Sequence, residues 1–401
     1  MESEVKMSGI KVAIDASRNR SGGARAHLIG ILEEGVPARY NIEEVHLWTY
    51  KSLADEIPAR PWLTKHTPIE LEQSLIRQIW WQATRLAGAA RSAGCDILFT
   101  TDASTFCRFK PMVVLSQDML AYEPGVMRRF GFTKDRMRLE AILRLQNHAF
   151  RSADGVIFLS RHAAQEIQRK CGALSHIKRI PHGVGHEFKE NRTPKKWPGS
   201  KTHPVRCLYV SPTWLFKHQW VVVRAIAALR EKGHNLSLTL VGGGDGTAQR
   251  LLDKQVAISD PDREFIQLIN FVPQRELPSL LADCNIFIFA SSCENMPNTL
   301  LEAMATGLPI ACSNRGPMPE VLSDGGVYFD PENADSIAAA VEKIIEDPNA
   351  RLKAARRAKR LSEGYSWSRC ADETWDFMSE TYRRINSAKI SGDETCVESW
   401  L

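Results

Sequence analysis

The 401-residue chain lacks several features that sort proteins quickly. No stretch approaches the ~18–20 consecutive apolar residues needed to cross a bilayer. The opening MESEVKMSG has no apolar core of signal-peptide length. The nine cysteines (Cys95, Cys107, Cys171, Cys207, Cys284, Cys293, Cys312, Cys370 and Cys396) are scattered, odd in number and without a C-x-x-C. That excludes a disulfide framework and a structural zinc site as first readings and fits a reducing cytosol. Excess charge is also scarce: 52 basic against 47 acidic residues leave +5. Such a balance permits an anionic ligand or membrane surface without demanding either. No aromatic-basic readout element, short-period repeat or low-complexity tract is visible, so no nucleic-acid partner is expected. The expected location is the cytoplasm, including a peripheral place at the inner face of the plasma membrane.

What is present is ordinary globular composition, 43% hydrophobic and 25% charged, in a chain too long for one core. Two domains are expected. IKVAID (10–15), EVHLWTY (44–50), CDILFT, PMVVLS and DGVIFLS read as strands. Helical segments separate them: 24–34, a long one at about 70–94, and SRHAAQEIQRKCG with Ser160 as cap and Gly172 as stop. Residues 189–204 are polar, basic and proline-containing, and read as a linker. The alternation restarts with VRCLYVS, NLSLTLVG, EFIQLINFV, NIFIFASS and LPIACS, each followed by a helical segment. Strand–helix alternation of this kind predicts α/β architecture with parallel, doubly wound sheets. A last helix, SWSRCADETWDFMSETYRRI, closes the order before a polar tail from Ser387. The domains expected are 1–188, with 366–390 packing back on it, and 205–365.

The most informative stretch is NIFIFASSCENMPNTLLEAMATGLPIACSNRGPMPEVL. A strand runs into a polar loop, and a helix opens near Asn298, with Pro297 before it and Asn298 as the expected cap. Amides of Met296, Asn298, Thr299 and Leu300 are expected to face out of the helix opening, where free N–H groups and the helix dipole favour a diphosphate. Glu294 in the loop and Glu302 in the helix flank that point. Two glutamates at this spacing arise by chance about once in such a chain, so the context carries the reading, not the spacing.

Glu294 … Glu302 with LLEAMATGLPI, RGPMPEVL and GGVYFDPEN resembles the retaining glycosyltransferase family 4, of the GT-B fold. The resemblance spans nearly the whole chain and is strongest from about 205 to 365. It implies two Rossmann-like domains facing each other across a cleft. It also implies a hexosyl-type nucleotide-sugar donor, and a glycan or lipid-linked glycan acceptor in bacterial surface polysaccharide synthesis, lipopolysaccharide included. Neither cofactor nor metal is expected, and no D-x-D lies at a strand end. Glu294 then meets the sugar hydroxyls and Glu302 the ribose. In LYVSPTWLFKHQW, Lys217, expected to begin a helix, meets the diphosphate, while Ser211 or Pro212 stands where the family has an arginine. Gly22 and Gly23 match a glycine turn at the phosphates. Gly243, in GGGDG, lies at a strand-to-helix turn expected to touch the nucleotide, and Val272 and Pro273 lie where the base is held.

In VVLSQDML, Gln117 replaces the family's histidine, leaving Asp118 as the nearby carboxylate, or as a cap on the following segment. The expected catalytic set is Glu294, Lys217 and Asp118. Loss of the histidine and arginine keeps open a catalytically silent GT-B protein that binds nucleotide or glycan. His182 reads as structural. Trp80, Trp81, Ile76 and Leu86 with Arg77, Arg85 and Arg91, and the basic run from Met127 to Arg144, read either as helices with a solvated basic face or as attachment to anionic lipid.

Overall fold

In the computed structural model, residues 9–20, 22–190, 197–198 and 203–390 are described. Most of the expected linker, 191–196 and 199–202, lies outside the described residues, as does Cys396. The remaining eight cysteines are all buried and free. No helix among the described residues is long and apolar enough to cross a membrane.

The chain forms two compact units. Among the described residues, the first takes those from 9 to 122, then Phe132–Gly183 and those from Trp367 to Ile390. The second takes Glu123–Gly131 and Val184–Ser366. The short segment Glu123–Gly131, expected with the first block, groups with the second instead.

The first unit is built on β1 (Ile10–Asp15), β2 (Ile42–Trp48), β3 (Leu63–His66), β4 (Ile97–Thr100), β5 (Met112–Leu115), β6 (Gly155–Phe158) and β7 (Ile177–Arg179). Their order is β3-β2-β1-β4-β5-β6-β7, with every neighbouring pair parallel. The second unit holds β8 (Val205–Val210), β9 (Leu236–Val241), β10 (Ile266–Ile269), β11 (Ile286–Phe289), β12 (Ile310–Ser313) and β13 (Val327–Phe329), in the order β10-β9-β8-β11-β12-β13, again all parallel. Every residue of β4, β5, β6, β11 and β12 is buried. That is the pattern of strands covered on both faces, and it is why their sequences read as unbroken apolar runs.

Local chemistry sets the element ends. Ser160 accepts the Ala163 N–H at 3.1 Å and starts the helix Arg161–Cys171, which stops at Gly172 with φ +90°. The last helix runs from Trp367 to Ile390, beyond Ser387, where the polar tail was expected to begin. It lays Trp375, Phe377 and Met378 into the first unit, all essentially inaccessible. Burial of an aromatic side chain of that size contributes ~2–3 kcal/mol. Trp367 lies over Gly30 of the helix Gly22–Glu34 so closely that a Cβ there would stand 2.4 Å from its ring.

Three readings change. The single long helix at 70–94 is a 3₁₀ turn Ile69–Glu72 followed by helices Leu75–Thr84 and Leu86–Ser92. In one straight helix at about 100° per residue, Leu86 and Ala90 would point roughly opposite Trp81; the break at Arg85 lets all three bury. The strand expected over EFIQLINFV shrinks to Ile266–Ile269; at its start the Asp260 carboxylate takes the N–H groups of Glu264, Phe265 and Ile266. The strand β13 lies in GGVYFDPEN, where no strand was read.

Candidate active site

In the second sheet the order reverses between β8 and β11, since β9 continues on one side of β8 and β11 on the other. Loops leaving the carboxyl ends of strands at such a switch point frame a crevice where open α/β sheets bind ligands. The loop after β8 carries Lys217, and the loop after β11 carries Glu294. The structure brings these two side chains into direct contact: Lys217 Nζ pairs with Glu294 Oε1. The lysine side chain is 10% exposed and the glutamate 14%, so the pair is sheltered yet open at one edge.

The lysine is held from several sides. Tyr209 donates its hydroxyl to the Lys217 carbonyl at 2.8 Å, and the Lys217 N–H donates to Trp214 O at 2.9 Å. Its ammonium lies 5.3 Å from the Phe216 ring centroid and 5.8 Å from that of Phe289, within cation–π range. The Ser292 N–H donates to Phe216 O at 2.8 Å, tying the two loops together. Lys217 therefore lies two residues before the helix Gln219–Glu231 rather than starting it, and His218, with φ +52°, turns the chain into that helix.

Glu302, buried at 8% exposure, accepts from Gln274 Nε2 at 2.7 Å. Burial is the main reason its carboxyl is pushed up to about 8, so it is largely protonated at neutral pH. Gln274 follows Val272 and Pro273, so the helix Asn298–Thr306 and the loop after β10 meet at this carboxyl. Nothing in the sequence reading singled out Gln274; its spacing from Glu302 carries no local signal.

The helix opening differs from expectation. Pro297 is the capping residue and makes no side-chain cap; Asn298 is the first helical residue. The Asn298 N–H donates to Met296 O and the Leu300 N–H to Pro297 O, both at 3.1 Å. Those two amides are consumed, which leaves the N–H groups of Met296 and Thr299 for a ligand. Gly243 changes too: its N–H donates to Asn270 O at 2.9 Å, and its carbonyl accepts from Thr213 at 3.2 Å. The neighbouring Gly242 has φ +103°, and a Cβ there would lie 2.5 Å from Ser211 O. The glycine run thus lets the loops after β8, β9 and β10 approach closely, and Gly243 offers no amide to a phosphate.

In the first unit, Gly22 opens its helix with φ +62° and Gly23 follows, both after β1. Asp118, after β5, is exposed, and its carboxylate accepts the Leu120 N–H at 2.8 Å, which is the capping reading. Gln117 Nε2 is buried without a hydrogen-bond partner. His182 packs against His27 and Trp367 at 5.0 and 5.6 Å between ring centroids, a structural place in the core.

Of candidate cation ligands, one group of three among the described residues lies within mutual reach: His234, Glu342 and Glu346. His234 precedes β9 and so lies at the amino end of the sheet, opposite the Lys217–Glu294 loops. Lys232 Nζ already bonds Glu342 there at 3.2 Å.

Residues 195–361 match the family described as glycosyl transferases group 1. The matched segment contains Lys217, Glu294, Glu302, Val272 and Pro273. Over 110 residues, 27% of this chain and 29% of the relative, the sequence is 34% identical to the O-antigen chain mannosyltransferase B of Escherichia coli. The chain spans less than two thirds of the length of the first curated relatives it matches. Among solved structures, a sucrose-phosphate synthase from Thermosynechococcus elongatus superposes with a TM-score of 0.71 at 17% identity, covering 94% of this chain and 100% of that one. HepE from Anabaena, in complex with UDP and glucose, gives a TM-score of 0.67 at 18% identity, with 92% and 99% covered. The two parallel-sheet units are thus the two Rossmann-like halves of a GT-B fold.

Proposed function

We propose that the protein is a retaining glycosyltransferase that moves a hexosyl-type sugar from a nucleotide-sugar donor to a glycan or lipid-linked glycan, in the synthesis of a bacterial surface polysaccharide. The observation that carries this reading is the Lys217–Glu294 pair at the switch point of β8 and β11. A sheltered ammonium beside a carboxylate suits a donor that offers a dianionic diphosphate and a neutral sugar rich in hydroxyls.

In the proposed reaction the bond between the anomeric carbon and the diphosphate oxygen breaks, and its electron pair stays on that oxygen. Lys217 and the free amides of Met296 and Thr299 stabilise the charge that develops there. The acceptor oxygen bonds to the same face of the anomeric carbon, and its proton passes to the departing phosphate. That route needs no histidine at position 117. Glu294 orients the sugar hydroxyls. Glu302, with Gln274, takes the ribose, and the unengaged main chain at Val272 beside Pro273 takes the base. Acceptor binding is assigned to the first unit, at the carboxyl end of β5, where Asp118 lies.

A lipid-linked acceptor is supported by the helix Leu75–Thr84, which leaves Leu75, Ile76 and Trp80 exposed beside Arg77 and Arg85. Arg85 stands over the Trp80 ring at 5.6 Å. Flotation with anionic vesicles checks this part: recovery with the vesicles at low salt supports it, and absence at every salt concentration counts against it. For the reaction itself, a panel of nucleotide sugars is screened by thermal shift, and the stabilising one is assayed for release of nucleoside diphosphate and transfer to oligosaccharide acceptors. Binding without any turnover would favour the silent binding protein.

A further inference from the structure

The loop after β8 offers Ser211 and Pro212 where a second cation would complete a diphosphate site, so Lys217 faces that charge without a cationic neighbour of its own loop. The second unit receives a guanidinium from elsewhere. Gly125, at φ +81°, starts the single turn Val126–Arg129 inside the segment Glu123–Gly131, which packs with the second unit although its flanks belong to the first. From it, Arg129 Nη1 approaches His218 Nε2 at 3.5 Å, and Arg129 Nη2 donates to Glu332 Oε1 at 2.7 Å.

His218 is the residue next to Lys217, and its Nε2 also lies 2.9 Å from Ser292 Oγ, two residues before Glu294. The same two loops therefore hold the Lys217–Glu294 pair and, beside it, the His218–Ser292 contact that Arg129 approaches. Since an arginine N–H can only donate, Nε2 of His218 accepts, which requires the neutral ring. Burial and the adjacent Arg129 hold that ring neutral down to about pH 4. A neutral histidine leaves the guanidinium charge uncancelled on that side. Its carboxylate partner, Glu332, is about half exposed and free to swing away.

We propose that Arg129 is the second cation of the diphosphate site, supplied by a segment inserted from the other half of the sequence. On donor binding it exchanges Glu332 for phosphate oxygens, as Lys217 exchanges Glu294. Arginine suits this because its fork presents parallel N–H groups to two oxygens. The inference rests on the nucleotide-sugar reading above and adds to it a residue that contacts the phosphates.

The test is calorimetric titration of UDP, GDP, ADP and their monophosphates into the unsubstituted protein and the Arg129→Ala, Arg129→Lys and Arg315→Ala variants, Arg315 being the rival cation of the second unit, paired with Asp330 at 3.2 Å. For the nucleotide that binds, Arg129→Ala should weaken the diphosphate about 10- to 100-fold and the monophosphate less than about threefold. Arg129→Lys should recover part of the loss, and Glu332→Gln should tighten the diphosphate. Diphosphate affinity unchanged in Arg129→Ala, equal losses for mono- and diphosphate, or a loss confined to Arg315→Ala overturns this proposal alone. If no nucleotide binds the unsubstituted protein, the nucleotide-sugar reading falls and this proposal with it.

Discussion

Lys217 Nζ and Glu294 Oε1 form a sheltered ion pair across the switch point of the second sheet, 77 residues apart in sequence. Each side chain is the other's counter-ion, so removing either leaves a largely desolvated charge. Lys217→Ala and Glu294→Ala should each lower transfer at least ~100-fold, the scale of losing one group aimed at developing charge. They should also cost about 1–3 kcal/mol of stability. A double-mutant cycle measured by urea unfolding should give a coupling of about 0.5–3 kcal/mol. Additive losses would mean the pair is not formed in solution.

With Glu302 on the ribose, as proposed, nucleotide binding should depend on pH. Its folded-state value of about 8 lies above the ordinary 4.5, so the folded protein holds a proton that the unfolded chain has lost. Its contribution to stability is therefore full below pH 4.5 and declines as pH rises to about 8. Glu302→Gln should flatten that decline, measured by chemical unfolding between pH 5 and 9. Ribose hydroxyls need an acceptor, so nucleotide affinity should rise between pH 6 and 8.5 with proton release, seen as a buffer-dependent binding enthalpy. Affinity independent of pH would remove Glu302 from the ribose.

His218 acts in the opposite direction. Burial lowers it to about 4, with Arg129 adding to the effect. The unfolded chain takes up a proton near pH 6.5 while the folded ring stays neutral. Its share of stability is complete above pH 6.5 and is lost on acidification toward pH 4, by up to about 3 kcal/mol. His218→Asn should be less sensitive over that window in urea unfolding followed from pH 7 to 4. Identical acid limbs would show that the ring is solvated.

Two glycines in the first unit should respond with opposite sign. A Cβ at Gly30 would press into the Trp367 ring, so Gly30→Ala should cost about 1–3 kcal/mol, with partial recovery in Gly30→Ala/Trp367→Leu. Gly88, in the helix Leu86–Ser92, has open space around its Cβ position, and Gly88→Ala should gain roughly 0.4–1 kcal/mol. Thermal unfolding with intrinsic tryptophan fluorescence distinguishes the two.

Sheet type and most of the buried strands followed from apolar runs spaced by helical segments, because a strand buried on both faces writes its burial into consecutive residues, as IKVAID and NIFIFA do. The helix ends at Ser160 and Gly172 were legible for a similar reason: a cap and a left-handed stop are local. Leu71 to Leu86 was not, since the break at Arg85 serves a core surface contributed by other elements. Lys217, Glu294 and Glu302 were reachable through the family resemblance, and the structure joins the first two. Gln274, Ser292 and Arg129 were out of reach. Each meets its partner across 28 to 203 residues, and no periodicity records such a meeting. The amides of Asn298 and Leu300 were misread because their hydrogen bonds depend on how Pro297 turns the neighbouring chain.

If the Lys217–Glu294 pair is the diphosphate and sugar end of a nucleotide-sugar site, as proposed, the decisive quantity is the turnover rate with the nucleotide sugar that stabilises the protein, compared between the unsubstituted protein and Lys217→Ala at equal folded concentration. Transfer is expected from the former and a loss of at least ~100-fold in the latter, with its melting transition retained. Full turnover by folded Lys217→Ala would contradict it.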